Sequence, residues 1–147
     1  MPAIGGSPLM VVPGKDQEEN WLRGQPPQWS PDGAELAYLV NSTVQDTVLF
    51  LVKIRSLHTG AVRSVNLPGK ENFSVRYLLK WSPDGRYFAY IGGPDQVWVL
   101  RLADGEGFPV VEGGFPSWSA DGRTLYFILD RGGVRDLWQQ RLNEDRR

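Results

Sequence analysis

Few residues in this chain of 147 could carry out catalysis. It has no cysteine and a single histidine, His58, which lies in a segment, residues 57–60, with the composition of a turn. A Ser-His-Asp triad could use only this histidine, and no Gly-x-Ser-x-Gly segment is present to hold a nucleophile. The sequence therefore predicts that His58 lies in a surface turn and that the chain has no hydrolase site.

The sequence also lacks clear motifs for binding a metal ion or a phosphate group. The acidic cluster Asp16-Gln17-Glu18-Glu19 lacks the alternating ligands and central glycine of a calcium loop, so we interpret it as a solvated loop, with a weak cation site as the alternative. Four glycine pairs fall between predicted strands, and none opens a helix, as a phosphate-binding loop requires. These pairs are Gly5-Gly6, Gly92-Gly93, Gly113-Gly114 and Gly132-Gly133. We predict no metal and no cofactor.

The charge balance argues against two classes of partner. Sixteen Lys and Arg residues nearly balance 17 Asp and Glu residues, which leaves a formal net charge of -1. Nucleic acids and anionic membrane surfaces attract strongly basic proteins, so we expect neither as a partner. The N-terminal segment, Met1 to Gly14, lacks the basic and long apolar parts of a signal peptide, and no apolar run reaches the roughly 18 residues of a membrane-spanning helix, so we expect neither secretion by its own signal nor a membrane anchor. The compartment stays open, because a lack of cysteine suits both reducing and oxidising surroundings.

The chain is organised by a five-residue motif that occurs three times. Two copies read Trp-Ser-Pro-Asp-Gly, at residues 29–33 and 81–85, and the third reads Trp-Ser-Ala-Asp-Gly, at residues 118–122. Each copy precedes an apolar segment typical of a buried strand. Proline presets the backbone for a turn, aspartate accepts a hydrogen bond from a local N–H, and glycine adopts the left-handed conformation. We therefore predict three hairpins, whose structural residues are Trp29, Asp32, Gly33, Trp81, Asp84, Gly85, Trp118, Asp121 and Gly122.

This repeat resembles the TolB-like, or PD40 (WD40-like), family of β-propeller repeats. The hallmark of that family is a Trp-Ser-Pro-Asp-Gly turn between the first two strands of a four-stranded blade, and the resemblance covers nearly the whole chain. It implies an all-β protein whose three four-stranded antiparallel repeats form half of a six-bladed propeller.

The resemblance also divides the chain into blades. Residues 1–15 form an orphan outer strand, 16–67 the first blade, 68–111 the second, and 112–147 a third blade without its fourth strand. In the first blade we predict strands near Pro27–Trp29, Glu35–Val40, Val48–Ser56 and Val62–Leu67. In the second we predict strands near Leu78–Trp81, Tyr87–Ile91, Gln96–Leu102 and Phe108–Val111. In the third we predict strands near Ser117–Trp118, Thr124–Leu129 and Asp136–Leu142. The apolar third strand of the first blade, Val48–Ile54, is expected to be covered on both faces.

Three blades cannot close a ring, because propellers have about 4–8 blades. We expect two chains to pair about a twofold axis, with Pro8–Val12 of one chain completing the third blade of the other. The alternative is that the chain is part of a longer one that carries more blades.

In propellers the loops that join fourth to first strands and second to third strands share one rim of the central channel. Here they are predicted at Asp16–Gln25, Glu71–Tyr77, Glu112–Phe115, Asn41–Asp46, Gly92–Asp95 and Asp130–Arg135. Aromatic residues and arginines often dominate binding energy. The predicted rim residues are Trp21, Arg23, Phe73, Arg76, Tyr77, Arg131 and Arg135, although Trp21 and Phe73 could instead pack between blades.

The resemblance implies a binding role more readily than catalysis. We predict a non-enzymatic scaffold for proteins or peptides that assembles as a homodimer. One alternative is an accessory propeller that gates substrate access in a larger enzyme of the peptidase type. Another is a self-assembling fragment without a ligand.

Overall fold

A computed structural model describes residues 25–68 and 79–143, together with the backbone of residues 15–16 and 19–21. In these residues all regular secondary structure is β-strand, in three antiparallel sheets that follow one another along the chain. The sheets are named blades one, two and three in chain order. The predicted all-β architecture is confirmed.

The blades differ in the number of strands that the described residues contribute. Blade one contains β1 (Lys15–Asp16), β2 (Glu19–Trp21), β3 (Gln28–Trp29), β4 (Glu35–Val44), β5 (Thr47–Ser56) and β6 (Val62–Asn66). Blade two contains β7 (Lys80–Trp81), β8 (Tyr87–Ile91), β9 (Gln96–Arg101) and β10 (Gly107–Glu112). Blade three contains β11 (Gly114–Trp118), β12 (Thr124–Arg131) and β13 (Val134–Arg141). In blades two and three the strands lie side by side in sequence order.

Blade one departs from the predicted pattern at one end. A loop was predicted at Asn41–Asp46, but β4 continues to Val44 and pairs with β5 up to Thr47. Gln45 and Asp46 form the connecting turn with positive φ values of 47° and 62°. Two-residue hairpin turns of this kind are usually marked by Asn-Gly or Asp-Gly, so the lack of glycine concealed the turn.

The extension of β4 also explains why part of a predicted loop is strand. Residues 16–25 were predicted to be a polar loop, but β2 lies within this segment and pairs with Val40–Ser42 of β4. β3 pairs with Leu36 and Ala37, so β2 continues the same edge beyond the end of β3. Extended backbone has N–H and C=O groups that need partners, and β2 supplies them. The predicted outer strand, including Pro8–Val12, lies outside the described residues, apart from Lys15 in β1.

Three further predictions are corrected by strand lengths and exposure. Only Gly113 separates β10 from β11, and only Gly132 and Gly133 separate β12 from β13, so the loops predicted at Glu112–Phe115 and Asp130–Arg135 are mostly strand. The third strand of blade one is not covered on both faces throughout, because Val48 and Leu49 are exposed. Both residues lie near the solvent-exposed tip of the extended β4–β5 hairpin.

The core consists of two apolar layers between successive blades. Side chains alternate along β8, so that Phe88 and Tyr90 belong to the layer shared with blade one, and Tyr87 and Ala89 to the layer shared with blade three. All four are nearly inaccessible to solvent. The Tyr90 hydroxyl donates a hydrogen bond of 3.0 Å to the carbonyl oxygen of Pro68, the partner that a buried phenol requires. Blade two is thus enclosed on both faces by its neighbours.

Candidate functional site

The repeated motif forms the same hydrogen-bonded turn in each blade. In blade two the Ser82 hydroxyl donates to Asp84 Oδ1 at 2.6 Å and accepts the Tyr87 N–H at 3.0 Å. Asp84 Oδ1 also accepts the Arg86 N–H at 3.1 Å, and Gly85 is left-handed with a φ of 74°. Equivalent bonds occur around Ser30 and Ser119. The predicted turn geometry is confirmed, and the serine joins the strands on either side of the turn.

The carboxylates of these turns serve as acceptors of hydrogen bonds. The Ser30 hydroxyl, and then the Ala34 amide, lower the pKa of Asp32 below its ordinary value by donating to it. Ser119 and Arg123 lower the pKa of Asp121 in the same way. These perturbed pKa values have a structural cause and do not indicate catalysis.

The three motif tryptophans have different surroundings. The Trp118 indole N–H donates to the carbonyl oxygen of Lys80 at 3.0 Å and so connects blade three to β7 of blade two. The Trp81 indole N–H instead donates to Gly85 of its own turn, and its ring packs on Phe88 at 4.7 Å between centroids. Trp29 is 61% exposed.

A groove opens at the other end of the sheets, where blades two and three meet. It has a volume of about 340 Å³, and its walls come from the turn between β8 and β9, from the start of β11 and from the β12–β13 hairpin. The lining residues are Asp95, Gly113, Gly114, Phe115, Ile128, Leu129, Asp130 and Arg135. We name this feature the rim groove, because its loops belong to the predicted rim.

Phe115 has an unusual backbone conformation in the rim groove. Its φ is 54°, and the pairing of β11 with β12 shifts between Gly114 and Ser117. A shift of this type is a β-bulge, which redirects side chains and is frequent beside functional sites. Bulky residues rarely adopt positive φ, and a residue that precedes proline, here Pro116, is also disfavoured in helical conformations. The bulge leaves the Phe115 side chain half-exposed.

The backbone on either side of the groove is tightly held. The Gly113 N–H donates to the carbonyl oxygen of Asp95 at 2.7 Å, which ties blade three to the β8–β9 turn. Gly113 has a φ of 138°, and a Cβ atom there would lie 2.6 Å from the Phe127 ring. Only glycine fits this junction, so the position of Phe115 relative to Asp95 is fixed by backbone contacts.

The two predicted rim arginines that the structure describes both interact with their own hairpin. The Arg131 guanidinium lies 4.6 Å from the centroid of the Trp138 ring, a cation–π distance. Arg135 Nε lies 3.6 Å from an Asp130 carboxylate oxygen. Arg135 lines the rim groove, whereas Arg131 does not. Their role in binding a partner stays a prediction.

The other predicted rim residues cannot be placed around the groove. Arg23, Phe73, Arg76 and Tyr77 lie outside the described residues, and for Trp21 only the backbone, in β2, is described. Phe115 and Asp95 were not singled out from the sequence. The one signal for Phe115 was the sequence Gly-Gly-Phe-Pro at a blade junction, where the chain has almost no loop.

Within 25–68 and 79–143, no three His, Asp or Glu side chains lie close enough to hold a metal ion. The same ranges contain no helix that is long and apolar enough to cross a membrane. His58 lies exposed in the turn between β5 and β6, as predicted.

Two curated proteins share sequence similarity with the chain, whereas no protein-family model matches it. The uncharacterized protein Atu1656 of Agrobacterium fabrum is 32% identical over 127 residues, which cover 78% of this chain and 39% of that protein. The uncharacterized peptidase YuxL of Bacillus subtilis is 28% identical over 114 residues, or 72% of this chain and 17% of that protein. The chain thus spans well under half of either relative.

Three solved structures with a similar backbone are a lyase, TolB and the propeller domain of a protease. An oligogalacturonate lyase in complex with manganese has a TM-score of 0.70 at 18% identity, over 92% of this chain and 38% of that one. TolB from Acinetobacter baumannii has a TM-score of 0.59 at 19% identity, over 80% and 29%. The β-propeller domain of the Trilobed protease from Pyrococcus furiosus has a TM-score of 0.53 at 18% identity, over 74% and 36%. At these identities the likeness concerns the fold, and together with the repeated turns it shows that the chain is built of β-propeller blades.

Proposed function

We propose that the chain is a non-enzymatic propeller scaffold that binds a protein or peptide at its rim and whose ring is completed by a second copy. The observation that carries this proposal is the open outer face of blade three. Leu137 of β13 is 73% exposed, whereas Val97, its counterpart in β9, is fully buried.

The two residues correspond because the blades share one register. Ile91 pairs with Val97 in blade two, and Ile128 pairs with Leu137 in blade three. Both isoleucines stand ten positions after their motif tryptophan. The face that blade two packs against its neighbour is therefore open in blade three.

The rest of this face supports the same interpretation. Tyr126 corresponds to the buried Ala89 and is 38% exposed, and Ile128 is exposed as well. Fully burying an exposed large apolar side chain gains roughly 1.5–3 kcal/mol; Leu137 has most of this gain still to make and Tyr126 and Ile128 a smaller part, so covering this face favours association. Another blade of the same kind suits this face, since blades one, two and three stack on one another through such faces.

The oligomeric state tests the proposal. We expect light scattering coupled to size exclusion to give twice the mass of one chain, and Leu137→Lys to give a single chain. Val134→Lys is the matched control, because Val134 is also exposed but projects from the opposite face of β13. A wild-type protein that stays monomeric at micromolar concentration would contradict assembly by a second copy.

A second candidate is an accessory propeller within a longer peptidase. Two observations favour it: the similarity to YuxL, named a peptidase, and the fold shared with the propeller domain of the Trilobed protease. In that case further blades of the same chain would cover Leu137. An antibody against the chain distinguishes the candidates on an immunoblot of native extract. A polypeptide several times longer than this chain supports the accessory domain, and one of equal length supports the scaffold.

A further inference from the structure

The geometry points to a specific ligand for the rim groove: a peptide segment of a partner protein that inserts a lysine or arginine side chain between Phe115 and Asp95. This inference rests on the proposed binding function and names the chemistry of its ligand. Neither residue belongs to the repeated motif, so the hydrogen bonds of the motif turns do not account for their positions.

The acidic character of the groove favours a cation. Asp95 and Asp130 line it, and Arg135 is the lining residue with a positive charge. Arg135 pairs with Asp130, so among the lining residues that the structure describes Asp95 has no positively charged partner. Among the described residues, no hydrogen-bond donor contacts the Asp95 carboxylate, which leaves its oxygens available to a ligand.

The apolar wall favours a long side chain over a small cation. Phe115 lines the groove and is half-exposed. Lysine and arginine place their methylene stems against apolar surfaces while the charged group reaches a polar partner. A cation can also be attracted to the face of the Phe115 ring. A metal ion has no methylene stem to pack against Phe115.

The backbone at Phe115 supports a binding role over a packing role. A half-exposed phenylalanine contributes less burial than a core residue, yet here it adopts a left-handed conformation before a proline. Glycine would suit this φ better. The bulge thus holds an aromatic ring at the blade junction at some cost in conformation, as binding sites commonly do.

The experiment uses the full chain and an array of immobilised nonapeptides. The central residue of each peptide is Lys, Arg, Gln or Glu, and the flanking positions are varied apolar residues. We expect the wild-type protein to prefer Lys and Arg over Gln and Glu. Asp95→Asn should weaken binding of the best basic peptide about tenfold in fluorescence anisotropy, the loss typical of a charge-assisted hydrogen bond.

The variants are chosen so that the fold survives. Asparagine tolerates the positive φ of 51° at Asp95, and glycine tolerates the φ of 54° at Phe115. Phe115→Gly should also weaken binding while the urea midpoint of unfolding stays near that of the wild type. Asp136→Asn, which changes an exposed acid of β13 outside the groove, is the control and should bind as the wild type does.

The possible failures are distinguishable. Peptides retained without a preference for a basic residue, or binding unaffected by both groove variants, would overturn this site but leave the scaffold function intact. An array on which the wild-type protein retains no peptide would overturn the peptide-binding function together with the site. A Phe115→Gly variant that unfolds early would show that the ring serves packing, and Asp95→Asn would then decide the charge preference by itself.

Discussion

Replacing Ser82 by alanine should destabilise the protein far more than the same change at Ser119. Ser82 is fully buried, and its hydroxyl is the acceptor for the N–H of Tyr87, a residue that is itself 4% exposed. Alanine leaves this amide without its partner in a place that water does not reach. An orphaned buried donor costs about 1–3 kcal/mol, and loss of the bond to Asp84 adds to this, so we expect about 2–3 kcal/mol.

Ser119 makes the same hydrogen bonds as Ser82 but in a more solvent-exposed turn. Its hydroxyl donates to Asp121 at 2.6 Å and accepts the Thr124 N–H at 3.0 Å, but all three residues are partly or fully exposed. Water can replace the hydroxyl there, so Ser119→Ala should cost only about 0.5–1 kcal/mol, the net value of an ordinary hydrogen bond.

Urea unfolding followed by tryptophan fluorescence measures both changes at one protein concentration. With an m-value of about 2 kcal/mol/M, Ser82→Ala should lower the midpoint by about 1–1.5 M, and Ser119→Ala by less than about 0.5 M. Equal shifts for the two variants would refute the reasoning, because the turns have the same hydrogen bonds and differ chiefly in burial.

Two further predictions concern a blade junction and an acid-sensitive turn. Gly113→Ala should lower the free energy of unfolding in urea by about 2–4 kcal/mol, because the added Cβ would lie 2.6 Å from the Phe127 ring. The control is Gly133→Ala, which has a φ of 83° but open space around it and should lower this free energy by only about 1 kcal/mol. Equal losses for the two variants would exclude the clash as the cause. The second concerns Asp121, whose folded pKa lies below the ordinary 3.8, so its stabilisation is present above about pH 4 and is lost as the pH falls through the folded pKa. Asp121→Asn keeps an acceptor oxygen that does not titrate, so the thermal midpoint of this variant should fall less than that of the wild type between pH 5 and pH 3, about the range in which aspartates titrate. Asp136→Asn is the control. Parallel curves for Asp121→Asn and the wild type would contradict the stabilising role of the Asp121 carboxylate.

The sequence predicted best those elements whose structure is encoded locally. β8 was predicted with its observed bounds, because five consecutive apolar residues lie between a Pro-Asp-Gly turn and a Gly-Gly pair. The turns around Asp32, Asp84 and Asp121 followed from the conformations that proline, aspartate and glycine prefer. Local chemistry was sufficient in these cases, because neighbouring residues supply the partners.

The features that were missed depend on partners distant in the sequence. The polar segment Asn41–Val44 has the composition of a loop, yet it is strand because β5 and β2 satisfy its backbone. Similarly, no local pattern predicts that Phe115 adopts positive φ, since the bulge arises from its register with β12. Asp95 becomes part of a site only when the β8–β9 turn meets the start of blade three.

The two outer faces of the blade stack have different requirements for a neighbour. Tyr38 and Val40 project from β4 away from blade two, and they are only 5% and 2% exposed. On blade three, by contrast, the outward-facing Leu137 is exposed to solvent. If a second copy closes the ring, its blade three must take the place of whatever now shields Tyr38 and Val40 from solvent. Exposing either side chain in that exchange costs roughly 1.5–3 kcal/mol of free energy. A neighbour for blade three alone would carry no such cost, so we expect further blades to add at the end of the stack where Leu137 lies, whether they belong to a second copy or to a longer chain.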